Sequence, residues 1–339
     1  GVHRDAVNPS DIPMPDRCWL CGDPAGVTPV DDDGRLFDVA AIPARVGLAD
    51  RFFGFVPASV LSTDGAEWRA RRAEWEATGL RRDGGRDGVR TYAKGAGDDE
   101  VSQKILAVSD GLSLFDPVLA ECVIRWYSAP GDTILDPFAG GSVRGIVAAA
   151  TGRRYIGIDL SPTQLAENRE DLVAVVDGGT PMAHHPTWVL GDARTDIQVA
   201  APPPVDLAFT CPPYYDLEVY SGDPRDLSNM DDDAFDAAHA DIIRRTVANL
   251  ARDRFAVWVV GEVRGDTPGY YRHLIPKTIA AFTAAGARYY DEAILVTPMG
   301  TLPLRIGKQF DASRKLGRRH QTVLVFVKGD PFIAARRMP

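Results

Sequence analysis

The chain has 339 residues, four of them cysteines, with 45% hydrophobic and 25% charged residues and a formal net charge of −9. This composition fits a globular chain long enough for one large domain plus an appendage, and it excludes a disordered or disulfide-stapled protein. No run of eighteen apolar residues predicts a membrane span, and the polar, proline-rich residues 1–16 lack the apolar stretch of a secretory leader, so a cytoplasmic setting is expected.

Residues 1–50 are rich in Pro, Asp and Gly and show little periodicity, which predicts an irregular arm. A helical pattern runs from Asp64 to Gly79, with Trp68 and Trp75 seven positions apart on one face as packing residues. Residues 81–100 form a Gly/Arg/Asp loop. A helix over Asp116–Ser128 follows, opened by Pro117 in its first turn. Strands are then expected at Thr133–Asp136, Arg154–Asp159, Thr187–Leu190, Val205–Thr210 and Phe255–Val260. Helices are expected at Val143–Thr151, 161–176, Asp232–Asp253 and Lys277–Ala285. Strands Ala293–Thr297 and Thr322–Val327, joined by a basic loop, end the series as an antiparallel pair. The rhythm predicts an α/β, Rossmann-like fold: a seven-stranded, mostly parallel sheet with an antiparallel last strand and an irregular N-terminal extension.

Ligands of open α/β sheets bind beyond the carboxyl ends of the strands. Three acids stand at such ends: Asp136, Asp159 and Asp192. Asp159 follows Asp136 by 23 positions, close to the roughly 20-residue offset at which an acid reaches a ribose hydroxyl. Gly140 and Gly141 allow close backbone approach to a ligand. The turn is neither G-x-G-x-x-G nor a Walker loop, so a dinucleotide or nucleoside triphosphate is not expected. About seventy positions later, Thr210-Cys211-Pro212-Pro213-Tyr214 follows a strand. Its two prolines fix two φ angles and supply no N–H donor, so the loop can aim carbonyls at a substrate amine.

Asp136-Pro137-Phe138-Ala139-Gly140-Gly141-Ser142 resembles the methyl-donor motif of S-adenosylmethionine-dependent DNA amino-methyltransferases. The run 113–230 is similar to modification methylases of phages and prophages, and the likeness extends over roughly residues 105–330. The resemblance implies that the Asp136–Gly141 turn contacts the methionine part of the donor, with Phe138 lining the pocket. It assigns Asp159, followed by Leu160, to the ribose hydroxyls, and Asp192, followed by Ala193, to the adenine amine. The segment around Phe115 and Asp116 would close over the methionine end. Thr210 to Tyr214 would form the catalytic loop, with Tyr214 stacking on an extruded base. Extrusion is required because the reacting atom is unreachable inside the stack. Adenine-N6 enzymes of this kind usually carry Asp or Asn before Pro-Pro-Tyr, and cytosine-N4 enzymes Ser. Cys211 is nearer Ser in size and favours cytosine N4, with adenine N6 as the alternative. A C5 reaction with Cys211 as nucleophile ranks last, since in C5 enzymes the cysteine follows the prolines. RNA methylation and non-catalytic DNA binding are the remaining readings.

The partner implied is double-stranded DNA, met by local basic patches despite the acidic total. Candidate phosphate contacts are Arg69, Arg72, Arg82, Arg225, Lys308, Arg314, Lys315, Arg318 and Arg319. The expected division is an extension over 1–104 and a methyltransferase domain over 105–339, as a monomer or homodimer. Cys18 and Cys21 have half the spacing of a zinc site, but no second pair lies nearby, so no metal is expected. The six histidines are read as surface or core residues, with His320 in basic company.

Overall fold

In the computed structural model the described residues are 53–81, 90–91, 115–202, 204–265, 269–300 and 302–338, with backbone alone at 90–91 and 304–305. Contacts divide the chain into Gly1–Phe53 and Gly54–Pro339, and the second unit holds the sheet and its helices.

Four short runs make one half of the sheet, from β6 out to an edge at β5: β3 (Thr133–Asp136), β4 (Arg154–Asp159), β5 (Thr187–Leu190) and β6 (Val205–Thr210). They pair in parallel, and β6 pairs in parallel with β8 (Leu250–Val260). The long β10 (His320–Lys328) runs antiparallel to both β8 and β9 (Arg288–Val296). The expected Rossmann-like order is present, with one addition. Val60–Ser62 forms an edge strand, β1, parallel to β9, so the sheet has eight strands in the order β1-β9-β10-β8-β6-β3-β4-β5. A run of three residues is too short to show alternation in the sequence.

Parallel neighbours need crossovers, and right-handed crossovers place the helices on opposite faces as the chain moves outward in one direction and then the other. Helices α1 (Ala66–Ala77), α2 (Pro117–Tyr127), α3 (Val143–Ala150) and α4 (Pro162–Asp177) lead to the β5 edge. Helices α5 (Ala193–Ala200), α6 (Asp232–Asn249) and α7 (Leu274–Ala284) return toward β9. The core between α6, α7 and the sheet is aromatic. Phe282 stacks on Phe326 with centroids 3.9 Å apart, and Trp258 meets Phe282 edge-on at 5.1 Å. Each such fully buried ring contributes about 1.5–3 kcal/mol relative to exposure.

Four features differ from expectation. Asp192 caps a helix, α5, because its carboxylate accepts from the Arg194 N–H at 2.8 Å; eight residues with few apolar positions hid it. Helix α6 ends at Asn249, and β8 begins at once with Leu250. The connection expected as a basic loop holds α8 (Leu302–Ser313). A last short helix, α9 (Pro331–Ala335), is capped by Asp330. Among the described residues no helix is long and apolar enough to cross a membrane.

Candidate active site

The carboxyl ends of β3, β4, β5, β6 and β9 and the first residues of β10 meet at one end of the sheet. There they enclose a cavity of about 500 Å³, within the range that takes a small molecule. Of the residues singled out in the sequence, Phe115, Asp116, Pro137, Phe138, Gly140, Asp159, Leu160, Asp192, Ala193, Cys211, Pro212, Pro213 and Tyr214 line it. Donor-side and loop-side residues therefore share one hollow. Asp136, Ala139, Ser142 and Thr210 are buried and do not line it, and neither does the half-exposed Gly141.

Asp136 is fully buried and receives protein donors from several sides. Arg144 Nε donates at 2.6 Å, the Tyr155 hydroxyl at 2.7 Å, the Phe138 N–H at 3.1 Å, and the Thr210 hydroxyl also bonds to it. Its role is to tie the β3 turn to the start of the Pro-Pro loop. Arg144 was not foreseen. It is buried on α3, donates to the carbonyls of Phe138 and Ala139, and lies 4.5 Å over the Phe115 ring. The one signal in the sequence was a lone cation inside the small-residue helix Val143–Ala150. Ser142 is likewise committed, its hydroxyl donating to Asp171 at 2.8 Å.

At the tip of β4, Asp159 accepts from the Gly140 N–H and the Ser161 N–H, each at 2.8 Å. Gly140 has a positive φ of 51°, a backbone turn that suits glycine. Burial pushes the Asp159 carboxyl above its ordinary range, and the two N–H bonds offset part of that shift. One oxygen is used by each amide, which leaves further lone pairs facing the cavity. For Asp192, burial raises the carboxyl, but the bonds from the Arg194 side chain and backbone outweigh it and hold it below the usual range. These two acids, the apolar Phe115 and Phe138 and the Gly140 turn fit a nucleoside joined to an amino-acid tail.

Asp116 ends the cavity on the other side. One oxygen accepts from the Val118 N–H at 2.9 Å and caps α2, worth roughly 1 kcal/mol. The other accepts from the Trp68 indole at 3.1 Å and from Arg72. Trp75 donates to buried Glu121 at 2.8 Å. Both tryptophans are thus packing residues that dock α1 on α2.

Past the double proline the chain reverses at Tyr215, which holds φ at 55°. A non-glycine residue there costs on the order of 1–2 kcal/mol. The Tyr215 ring stacks on Phe235 at 4.1 Å, its hydroxyl donates to Asp236 at 2.7 Å, and the Arg272 guanidinium lies 3.9 Å above it. Tyr214 points the other way. Its hydroxyl donates to the Val259 carbonyl at 3.3 Å and accepts from Gln321 Nε2 at 3.1 Å. Its ring passes close to Gly261, where a Cβ would come within 3.1 Å. Gln321, brought by the antiparallel last strand, lines the cavity and carried no sequence signal. Cys211 Sγ is 3.4 Å from the Tyr214 hydroxyl. Burial raises the Cys211 thiol above its ordinary value, although nearby Arg144 works against the shift.

The proposed basic contacts do not converge on one patch. Arg72 is paired with Asp116 inside the cavity wall, while Arg69 is exposed on α1. Arg225 is paired with Asp223 at 2.7 Å on the loop after the catalytic segment. Lys308 and Arg314 are carried on or just after α8, Lys315 follows, and Arg319 donates to the Thr297 carbonyl at 3.1 Å and pairs with Asp64. Arg318 sits 5.9 Å from the Tyr271 ring. Thr297, Pro298 and Gln321 bracket this connection and line the cavity, so the α8 segment flanks the mouth. Arg82, Cys18 and Cys21 lie outside the described residues. Among the described residues no cluster of His, Cys, Asp and Glu could hold a metal ion.

Residues 115–170 match the family model of the DNA methylases. Over 43 residues, 13% of this chain and 15% of the relative, the chain is 49% identical to the DNA adenine methyltransferase YhdJ of Escherichia coli K12. Over 56 residues, 16% of this chain and 21% of the relative, it is 45% identical to the type II methyltransferase M2.DpnII of Streptococcus pneumoniae. The matched stretches are therefore about a fifth or less of those relatives' lengths. Similar solved structures include TrmN of Thermus thermophilus, at 19% identity and a TM-score of 0.41 over 63% of this chain and 49% of that one. Magnesium protoporphyrin IX methyltransferase of Synechocystis with bound S-adenosylhomocysteine gives 12% identity and 0.42 over 77% and 99%. The likeness to DNA amino-methylases read from the motifs is present in the family match over the segment that holds the donor turn and Asp159.

Proposed function

We propose that a chain whose donor-turn segment matches the DNA methylases is itself a DNA methyltransferase acting on the exocyclic amine of a base swung out of the duplex. The observation that carries this reading is the shared cavity: Asp159 and Gly140 on one wall, Cys211 to Tyr214 on the other. S-adenosylmethionine, when bound, supplies a methyl group on a positively charged sulfur. Asp159 would hold the ribose hydroxyls, Asp192 the adenine edge, and Phe115 and Phe138 the apolar flanks.

The chain's own residues do the positioning. Pro212 and Pro213 keep the loop carbonyls fixed, and Tyr214, anchored at its hydroxyl, offers a ring wall for a flat base. Holding two reactants in line supplies much of the rate in such transfers. Exclusion of water by the apolar lining strengthens each polar contact.

Cytosine N4 is the favoured target, because position 211 is small and uncharged; adenine N6 is the second reading. C5 methylation needs a thiolate. Burial favours the protonated thiol at Cys211, which counts against that route. The cationic segment at the mouth, with Lys308, Arg314, Lys315, Arg318 and Arg319, supports a phosphate backbone as the partner. The test is transfer of labelled methyl to mixed duplex DNA, followed by digestion and identification of the modified nucleoside by mass. N4-methylcytosine is expected. Labelling of tRNA but not DNA would overturn the reading.

A further inference from the structure

An exocyclic amine that gains a methyl group must lose a proton, and before that its hydrogens need acceptors to hold the nitrogen in place. The side chain at the head of the catalytic loop is poorly suited to this. A thiol is a weak acceptor, and burial keeps the Cys211 thiol protonated. A different carboxylate reaches the same hollow. Glu218 is buried, 8% exposed, and lines the cavity together with Cys211, Pro212 and Tyr214. Its charge is felt at both Cys211 and Tyr214, where it raises the acidic groups' proton affinity.

The local structure holds this carboxylate in place. Glu218 and Val219 form a short strand, β7, that pairs antiparallel with Arg90–Thr91, β2, so its backbone is fixed by a ladder. The Tyr220 hydroxyl donates to Glu218 Oε2 at 2.6 Å. The turn behind is pinned in its own right: Asn229 donates to the carbonyls of Ser221 and Asp223, and Ser221 to Asp226. An ionised carboxylate can accept several hydrogen bonds at once. Burial in a cavity walled by prolines and a tyrosine makes such an acceptor stronger than in water.

We propose that Glu218 is a catalytic residue, the side-chain acceptor for the target amine. Its carboxylate takes a hydrogen bond from the amine N–H and receives the proton that methylation makes surplus. The inference rests on the base-methylation reading of the cavity. The step conserves atoms and electrons. The amine nitrogen forms the new N–C bond with its lone pair, sulfur keeps the electrons of the C–S bond that breaks, and one N–H proton passes to Glu218 and then to water.

The experiment compares the wild-type chain with Glu218→Gln and Glu218→Asp, measuring donor affinity by calorimetry, thermal melting, and kcat and KM for methylation of duplex DNA. Loss of a positioned proton acceptor typically lowers rate by about 10²–10⁴-fold. Glu218→Gln should lower kcat by about 100-fold or more, with donor affinity within about twofold. Glu218→Asp keeps the carboxylate and should lose no more than about tenfold. Equal losses in the two variants would assign the effect to shape and overturn the proposal, as would a Glu218→Gln enzyme at the wild-type rate. A loss confined to donor affinity or melting would overturn it too. A wild-type chain that methylates no DNA removes the base-methylation reading as well, whereas an active wild type with an unaffected Glu218→Gln removes the role of Glu218 alone.

Discussion

The two walls of the cavity are built in different ways. On the donor wall the polar groups are held by the fold itself. Asp136 is enclosed by Arg144, Tyr155, Thr210 and a backbone N–H, and Asp159 by two backbone amides. On the opposite wall the groups arrive from scattered places: the loop 211–215, the β7 strand, and Gln321 from the last strand. Their bonds are mostly between side chains, such as Gln321 to Tyr214 and Tyr220 to Glu218. A rigid, generic wall suits a ligand that is always the same. A wall assembled from loops and distant strands suits one that varies with the target, since loops on a rigid scaffold tolerate change.

This contrast can be broken at several points. Asp136→Ala should be the most damaging change on the donor wall, because it leaves the buried Arg144 without its partner. Breaking such a pair costs about 3–5 kcal/mol. Urea unfolding should show that loss, together with loss of donor binding. A variant of unchanged stability would mean that Asp136 does not tie the turn to the loop.

Acid should weaken the layer under Phe138. His239 is buried against Phe138 and Trp258, and its Nε2 accepts from the Trp258 indole at 3.1 Å. Burial, opposed weakly by Asp236, lowers its pKa from an ordinary 6.5 to about 4. A depressed value in the folded state means that the neutral form stabilises the fold above pH 6.5, and that this stabilisation is lost as pH falls toward 4. The size is roughly 3 kcal/mol. Unfolding free energies at about pH 7, 5 and 4 should fall more steeply in the wild type than in His239→Gln. Parallel curves would contradict the buried neutral imidazole.

A smaller effect is expected at the ribose end. Asp159→Asn keeps the shape but weakens charge-assisted hydrogen bonds, each worth about 1.5–3 kcal/mol. Donor affinity, read by calorimetry, should fall by about 10- to 100-fold. An unchanged affinity would move the ribose site elsewhere.

Much of the donor wall was legible in the sequence. β3 and β6 lie at the expected residues because buried parallel strands are short apolar runs with sharp ends, and β4 and the edge strand β5 lie there too although exposed residues interrupt them. The acids at their tips follow from the topology of such sheets. Other parts were not legible. Residues Arg288 to Glu292 of β9 are exposed, and Arg288, Asp291 and Glu292 are charged, so the strand looked shorter than it is. Helix α8 was masked by its basic, glycine-bearing composition. Gln321 reaches the cavity by tertiary placement, 110 positions beyond Cys211 in the chain, and stands in no motif; Glu218, 7 positions beyond Cys211, lies in the polar segment Asp216–Tyr220, whose interleaved aromatics suit a lip over the base, but no signal marks its carboxylate. Asp136 was placed correctly in the turn, but its partner Arg144 shows that the residue supports the pocket from behind.

The central claim is that donor and target amine meet between Asp159 and Tyr214, with each wall serving one of them. Tyr214→Ala tests it most directly, by titrating S-adenosylmethionine into the variant and measuring transfer of labelled methyl to duplex DNA. The account predicts donor affinity within about threefold of the wild type and transfer slowed by about 100-fold or more, an effect of roughly 3 kcal/mol on the barrier. Donor affinity lost as fully as in Asp159→Asn, or transfer that continues at the wild-type rate, would contradict it.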